Sequence, residues 1–204
     1  MNRTSSIGLA DLMSALMMTF LFIAIAFLAK LEQSTITFVE KLNHALHEEF
    51  DPDLQRWKAE ITPDNVVRFH SPFKLGSNEI PEVFKAVISE FCPRYIRVLA
   101  SDNLKQGIKE VKVEGHTSHG WNKGTASEDA FINNMRLSQE RATNVLSYCY
   151  LMEDPVIKSN RDWLEKNFHA NGLAYSKPIY IKGRVSSRLS RRVDFMVIPK
   201  INGK

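Results

Sequence analysis

Asp11 is the residue in this chain whose chemistry folding alone explains least. It is the single charge in residues 7–29, IGLADLMSALMMTFLFIAIAFLA. A carboxylate inside a membrane span costs ~2.5–3.5 kcal/mol on insertion scales and usually faces a protein partner or a water-filled path. On helical spacing Asp11 shares a face with Ser14, Ala15, Met18 and Phe22, and the small Ser14 and Ala15 let another helix come close. Alternatively, Asp11 lies near enough to the start of the segment to reach headgroup water or to cap the helix. A second set of residues gathers around arginines. Gly115-His116-Thr117-Ser118 ends an apolar run, Asn134, Leu137, Ser138, Arg141, Ala142 and Val145 follow at helical spacing, and Arg191-Arg192-Val193-Asp194-Phe195 comes last. A guanidinium offers a planar fork that matches a carboxylate, so Arg141, Arg191 and Arg192 are candidates for holding an anionic ligand. Arg141 could equally make an internal salt bridge, and Arg192 could pair with a carboxylate of its own domain. Thr117 could simply cap a turn, and Leu137 and Val145 fit a core. His116 and His119 lack a third ligand nearby, so no metal is expected. The chain holds no P-loop, nucleophile elbow or recognisable carboxylate pair, and it is not expected to be an enzyme.

These residues need elements to position them. Residues 7–29, at ~1.5 Å per residue, reach about 34 Å, enough for a hydrocarbon core of ~30 Å. A basic leader and a cleavage site are both missing, so the segment is expected to stay as an anchor. The tail of residues 1–6 is short and the exported part is large, which favours a cytoplasmic N-terminus and a periplasmic domain; Arg3 against Lys30 and Lys41 adds little to the choice. Residues 30–58 form a helical linker in which Phe38, Leu42, Leu46 and Phe50 make one apolar stripe. That stripe could pack on its own domain or on a second copy, and Asp51-Pro52-Asp53 is expected to break the helix. Beyond it, strands are predicted at Val66 to Phe69, at Ile108 to Val113, near Phe168 and at Val193 to Ile198. Helices are predicted after Gly76 to Pro81, carrying Val83 to Phe91, and from about Asp129 to Leu151. Strands alternating with helices indicate an α/β (α+β) sandwich, one sheet backed by helices.

With 204 residues, 44% of them hydrophobic, the chain fits one domain plus a small appendage. The net charge of +4 comes from basic residues scattered among 23 acidic ones, so nucleic acid is not an expected partner. The two cysteines, Cys92 and Cys149, show no metal-site spacing.

The three arginine-bearing motifs, in this order, resemble the OmpA-like peptidoglycan-associating domain, whose signature joins a GHTD turn, an NxxLSxxRAxxV helix and a closing RRVxF strand. The resemblance covers about residues 60–199. It implies that Thr117, Ser118, Asn134, Leu137, Arg141, Arg191 and Arg192 contact peptidoglycan. In that family the helix arginine and the turn aspartate hold the diamino acid of the stem peptide; Arg141 keeps the first role, and Ser118 replaces the second residue. About ten extra residues before Asn134 lengthen the neighbouring loop. Such a domain behind one span with an intramembrane aspartate is similar to the MotB, ExbD and TolR group of stator subunits. The run from Gly8 to Phe22 and the GHTS turn resemble the ZorB branch, the stator-like subunits of Zorya anti-phage systems. The resemblance implies a homodimer inside a ring of multi-span ZorA-like subunits, with Asp11 carrying a proton or sodium ion and with no bound cofactor; a flagellar MotB-type stator subunit and a passive peptidoglycan tether without ion conduction are the alternatives. An oxidising periplasm permits a disulfide between Cys92 and Cys149. Each is expected near the C-terminal end of one of two helices that a right-handed crossover should set side by side, so the bridge is expected, two free core cysteines being the alternative.

Overall fold

The computed structural model describes residues 3–70, 72–121 and 124–200, with side chains from Asp11 onward. The ends of the two expected tails, residues 1–2 and 201–204, lie outside the described residues. One helix, α1 (Arg3–Trp57), contains both the apolar segment and the expected linker. The break expected at Asp51-Pro52-Asp53 does not occur. An interior proline costs ~3 kcal/mol or more in lost hydrogen bonding and steric clash, and tertiary contacts around it offset that cost. Phe50 and Trp57 are buried on either side of Pro52. Arg94 grips the same turn, donating from Nε to Glu49 Oε1 at 2.6 Å, from Nη2 to the Glu49 carbonyl at 2.5 Å and from Nη1 to Asp53 Oδ2 at 2.7 Å. The helix stops where Lys58 takes a left-handed backbone, φ 53°.

A five-stranded sheet follows, in the order β1 (Ala59–Ile61), β2 (Val67–His70), β7 (Arg192–Pro199), β3 (Ile108–His116) and β4 (Phe168–Gly172). Only the β3–β4 pair is parallel. Helices α2 (Glu82–Leu99) and α3 (Ser127–Tyr150) pack on one face with the second half of α1. Two short helices, α4 (Pro155–Ser159) and α5 (Arg161–Asn167), lead into β4. The hairpin β5 (Tyr180–Ile181) and β6 (Arg184–Val185), with α6 (Ser187–Ser190), fills the connection to β7. Sequence patterning does not reveal β1 or these short elements, which contain too few residues to show a period.

Strand alternation separates the two faces of the sheet. Val67, Phe69, Val111, Val113, Val193 and Phe195 point into the core, where Phe50, Trp57, Phe91 and Tyr95 join Phe69 and Phe195 at ring separations of 4.9–6.5 Å. The stripe of α1 packs on its own domain, with Leu42, Leu46 and Phe50 all buried. Cys92 and Cys149 join α2 to α3 as a disulfide, with Cα atoms 5.7 Å apart. Cys149 lies at the end of its helix as expected, whereas Cys92 lies in the middle of α2.

The ends of the sheet differ in their distance from the apolar segment. Phe38 packs on Gly107 just before β3, and Asn65 donates to the Val39 carbonyl, so residues 38–43 lie beside the start of β3 and the end of β7. The Lys58 carbonyl accepts from His70, which pairs with Arg192, so Trp57 lies beside the opposite end.

Candidate cell-wall-binding cleft

The far end of the sheet carries a cleft of ≈350 Å³ lined by Leu75, Gly76, Thr117, Ser118, His119, Gly120, Trp121, Asn134, Leu137, Arg141 and Arg191. Two glycines let α3 sit on the sheet end and form its wall. A Cβ on Gly115 would lie 2.1 Å from the Ser138 carbonyl oxygen, and one on Gly172 would lie 2.4 Å from the Gln139 nitrogen. No side chain fits at either place without moving the helix. Ser138 Oγ accepts from the Ala174 N–H at 2.9 Å, and Thr117 N–H donates to the Ala174 carbonyl at 2.8 Å, which fixes the turn after β3. Asn134 Nδ2 donates to the Gly120 and Ala130 carbonyls, both at 2.8 Å, tying the other side of the turn to α3.

Arg141 forms the floor and is 2% exposed. Its Nε donates to the Ser77 carbonyl at 2.8 Å, its Nη2 donates to the Lys74 carbonyl at 2.9 Å, and its guanidinium stacks over Phe73 at 4.9 Å. No carboxylate pairs with it among the described residues. Burial, reinforced by the charge of Arg191, pulls its pKa down to about 10. The internal salt bridge considered for this residue is therefore not what holds it. A buried cation balanced only by carbonyl dipoles favours an incoming anion, because the desolvation cost is already met in the fold. Thr117 Oγ1 is buried at the same cleft with no hydrogen-bond partner among the described residues. An orphaned buried hydroxyl is uncommon, and one beside an anion-ready guanidinium points to a polar ligand.

Six of the seven residues expected to contact the wall come together here: Thr117, Ser118, Asn134, Leu137, Arg141 and Arg191. Arg192 does not line the cleft. It points to the open face of the sheet, where Nε donates to Asp194 Oδ2 at 2.9 Å and Nη1 to the Lys177 carbonyl at 3.0 Å. Arg68 grips the same carboxylate with both prongs, Nε–Oδ1 at 3.0 Å and Nη2–Oδ2 at 3.1 Å. His116 is buried beside them, 3.5 Å from Asp194 and 3.6 Å from Glu114. Burial raises Asp194, but hydrogen bonding from Arg68 and the charge of Arg192 outweigh it and hold the carboxyl below its ordinary value. Burial also pushes His116 below its ordinary value, with Glu114 opposing. Sequence spacing misses the loop contributions, Leu75, Gly76 and Trp121. The one available signal is the Gly76-Ser77-Asn78 turn, in which Gly76 takes φ +70° and the carbonyls of Lys74 and Ser77 face Arg141, that of Lys74 also accepting from the Ser77 N–H.

Asp11 lies on α1, far from this cleft, exposed among apolar neighbours. Steps of three and four residues run from Asp11 through Ala15, Met18, Phe22, Ala26, Ala29, Gln33, Thr37, Glu40, His44 and His47 to Asp51, so these residues share one side of α1. That side is opposite Leu42, Leu46 and Phe50, which pack on the domain. An open trough beside it, lined by Val39, Glu40, Asn43, His44, His47 and Asp51, holds exposed pairs such as His47–Asp51 at 2.7 Å.

No protein-family model matches the chain. The chain is 40% identical to Zorya protein ZorB of Escherichia coli (strain Crooks), over 94% of its own length and 86% of that protein's. A MotB-like protein of Desulfovibrio vulgaris superposes with a TM-score of 0.52 at 17% identity, covering 84% of this chain and 98% of that one, a likeness of fold. Among the described residues, one N-terminal helix long and apolar enough to cross a membrane thus precedes a mixed α/β domain that shares the fold of this MotB-like protein. With identity of this extent over nearly the whole chain, the protein belongs to the ZorB family.

Proposed function

We propose that this protein is the wall-anchored, ion-conducting, stator-like subunit of a proton- or sodium-driven membrane motor that acts in anti-phage defence with a ZorA-like partner. Its span sits in the bacterial inner membrane with the N-terminus in the cytoplasm and the domain in the periplasm. Two copies stand inside a ring of multi-span partner subunits, and Asp11 takes up and releases the transported ion. The cleft around Arg141 binds the carboxylates of peptidoglycan stem peptides and holds the subunit still while the ring turns.

The observation that carries this reading is the unbroken helix from Arg3 to Trp57. It joins Asp11 to the domain without a flexible hinge and sets the cleft about 40 Å beyond residue 29, at ~1.5 Å per residue. Force applied near Asp11 is then resisted at the wall through one rigid element. Asp11 also lies on the side of α1 away from the domain, open to a neighbouring helix, and a carboxylate left facing lipid would be costly.

The test is Asp11→Asn in cells carrying the partner. Asn keeps the shape and can hydrogen-bond, yet it cannot cycle a proton or balance a cation. Phage protection and ion conduction are expected to vanish at normal expression and membrane insertion, with Asp11→Glu impaired to a lesser degree. Full protection by Asp11→Asn would leave a passive wall tether as the better reading.

A further inference from the structure

Residues 177–192, KPIYIKGRVSSRLSRR, contain six basic residues and no acidic one. Several arginines elsewhere in the domain sit against carboxylates: Arg56 on Asp53 and Glu90, Arg68 on Asp194, Arg94 on Glu49 and Asp53. Within residues 177–192, Lys177 pairs with Glu114 and Arg192 with Asp194, whereas Lys182, Arg184 and Arg191 meet no carboxylate among the described residues. Lys182 and Arg184 stand on the β5–β6 hairpin, where Tyr180 (62% exposed), Ile181 and Val185 are also open to solvent. A two-stranded hairpin with both faces in water is marginal by itself, and this one is braced at its base. Ser186 N–H donates to the Ile179 carbonyl at 2.8 Å, Ile179 N–H to Ser190 Oγ at 3.0 Å and Arg192 Nη1 to the Lys177 carbonyl at 3.0 Å. Its tight turn has Lys182 at φ 48° and Gly183 at φ 77°, the geometry that matches strand twist. The tip therefore holds apolar and cationic side chains outward at a defined place.

That place decides the partner. The hairpin rises from the Arg192 end of β7, the end where Trp57 closes α1 and where Arg191 lines the cleft. It is thus at the end of the domain far from the apolar segment, out of reach of the membrane surface. We infer that the β5–β6 hairpin is a second contact with the wall, in which Lys182 and Arg184 meet carboxylates of the peptidoglycan polymer and Tyr180 packs on its sugar rings. This rests on the wall-anchoring reading of the cleft. The cleft takes one stem peptide, and the hairpin engages the adjoining strand, so that polymer binds more firmly than a soluble fragment does.

The experiment compares the detergent-solubilised full chain with its Lys182→Gln/Arg184→Gln variant on two probes, purified sacculi and a soluble disaccharide tetrapeptide. Both side chains are exposed, so folding should be unaffected. For the variant, sacculus affinity at low salt should fall roughly fivefold, the difference should shrink at high salt, and affinity for the soluble fragment should not change. Tyr180→Ala should weaken sacculus binding to a similar degree but independently of salt. If the wild type binds sacculi and the charge variant binds them equally well at every salt concentration, the hairpin contact is wrong and the cleft stands. If the wild type binds neither probe, the wall reading itself fails. Loss by the variant of binding to phosphatidylglycerol vesicles, with sacculus binding intact, would also overturn the inference and assign the hairpin to lipid.

Discussion

Arg141 and Arg192 lie at the same end of one sheet and are buried to nearly the same degree, yet their surroundings differ in one respect. Arg192 and its neighbour Arg68 share the carboxylate of Asp194, so charge on the open face of the sheet is balanced within the fold. Among the described residues Arg141 has only carbonyl oxygens as hydrogen-bond partners, at Ser77 and Lys74, and it lines a cleft. Burying a guanidinium is costly in either setting. Where an internal carboxylate meets that cost the arginine is structural; where dipoles meet it in part, the remainder favours an external anion. The two arginines look alike in sequence, and only the second partner separates their roles.

The comparison breaks most visibly at Asp194. Asp194→Asn would remove the buried carboxylate that Arg68 and Arg192 share, leaving Arg68 only the more exposed Glu60, and should lower unfolding free energy by ~3–5 kcal/mol, the usual cost of breaking a buried pair. Chemical denaturation would measure it. Retained stability would mean that Glu60 and Glu114 balance the face without it. Arg141→Ala should act on binding first: sacculus affinity should drop at least tenfold, beyond that of any distant Lys→Ala change. It also removes the Arg141 donor from the Ser77 carbonyl and one of two donors from the Lys74 carbonyl, which keeps the Ser77 N–H, so a stability loss of ~1–3 kcal/mol should accompany it. Arg141→Lys restores charge but not the fork, and it should recover stability better than binding.

The pH response should belong to the open face. His116 is buried with no hydrogen-bond partner on either ring nitrogen among the described residues, and burial holds it below its ordinary value. The unfolded chain then binds a proton that the folded chain refuses. Stability from this group is present above about pH 6.5 and falls as pH drops below that, by up to ~1.4 kcal/mol per unit. His70, which burial also pushes down, adds in the same direction. Asp194 and Glu114, both held low, lose their contribution only at more acidic pH, below about 4. Denaturation between pH 7.5 and 5.5 should therefore show a downward slope that His116→Gln reduces; an unchanged slope would remove His116 as its source.

Much of this was legible in residue spacing. The span, the stripe Leu42, Leu46 and Phe50, the major strands and the residues that converge on the cleft all have a period or a motif. Three things were not. Pro52 marks a break by local rules, and the helix survives it because Arg94, forty-odd residues later, clamps the turn from α2. The role of Arg192 depended on Asp194, two residues away along the same strand and so on the same face, a relation that alternation contains but motif matching passes over. Leu75, Gly76 and Trp121 enter the cleft from irregular loops, which carry no period.

Ser118 offers the smallest expected effect and the finest test of the cleft. In the domains this one resembles, an aspartate stands here to meet the ammonium of the stem diamino acid. With Ser118 the cleft has an uncompensated cation in Arg141, a second in Arg191 and no anion, so it should favour the carboxylates of a stem peptide and be indifferent to the amine. Ser118→Asp adds a partly exposed carboxylate, and two outcomes compete for it. It can meet the ammonium, or it can swing onto Arg191 and compete with the ligand's carboxylate. Arg141 is pinned by Lys74 and Ser77 beneath the cleft, which leaves the introduced group free to face the ligand. Affinity for a soluble stem peptide with a free side-chain amine should therefore rise about threefold, in line with one partly screened ion pair. Affinity for the same peptide acetylated at that amine should not rise. A fall for both peptides would mean that the added carboxylate neutralises the arginines, which would identify their excess positive charge as the basis of binding in the natural chain.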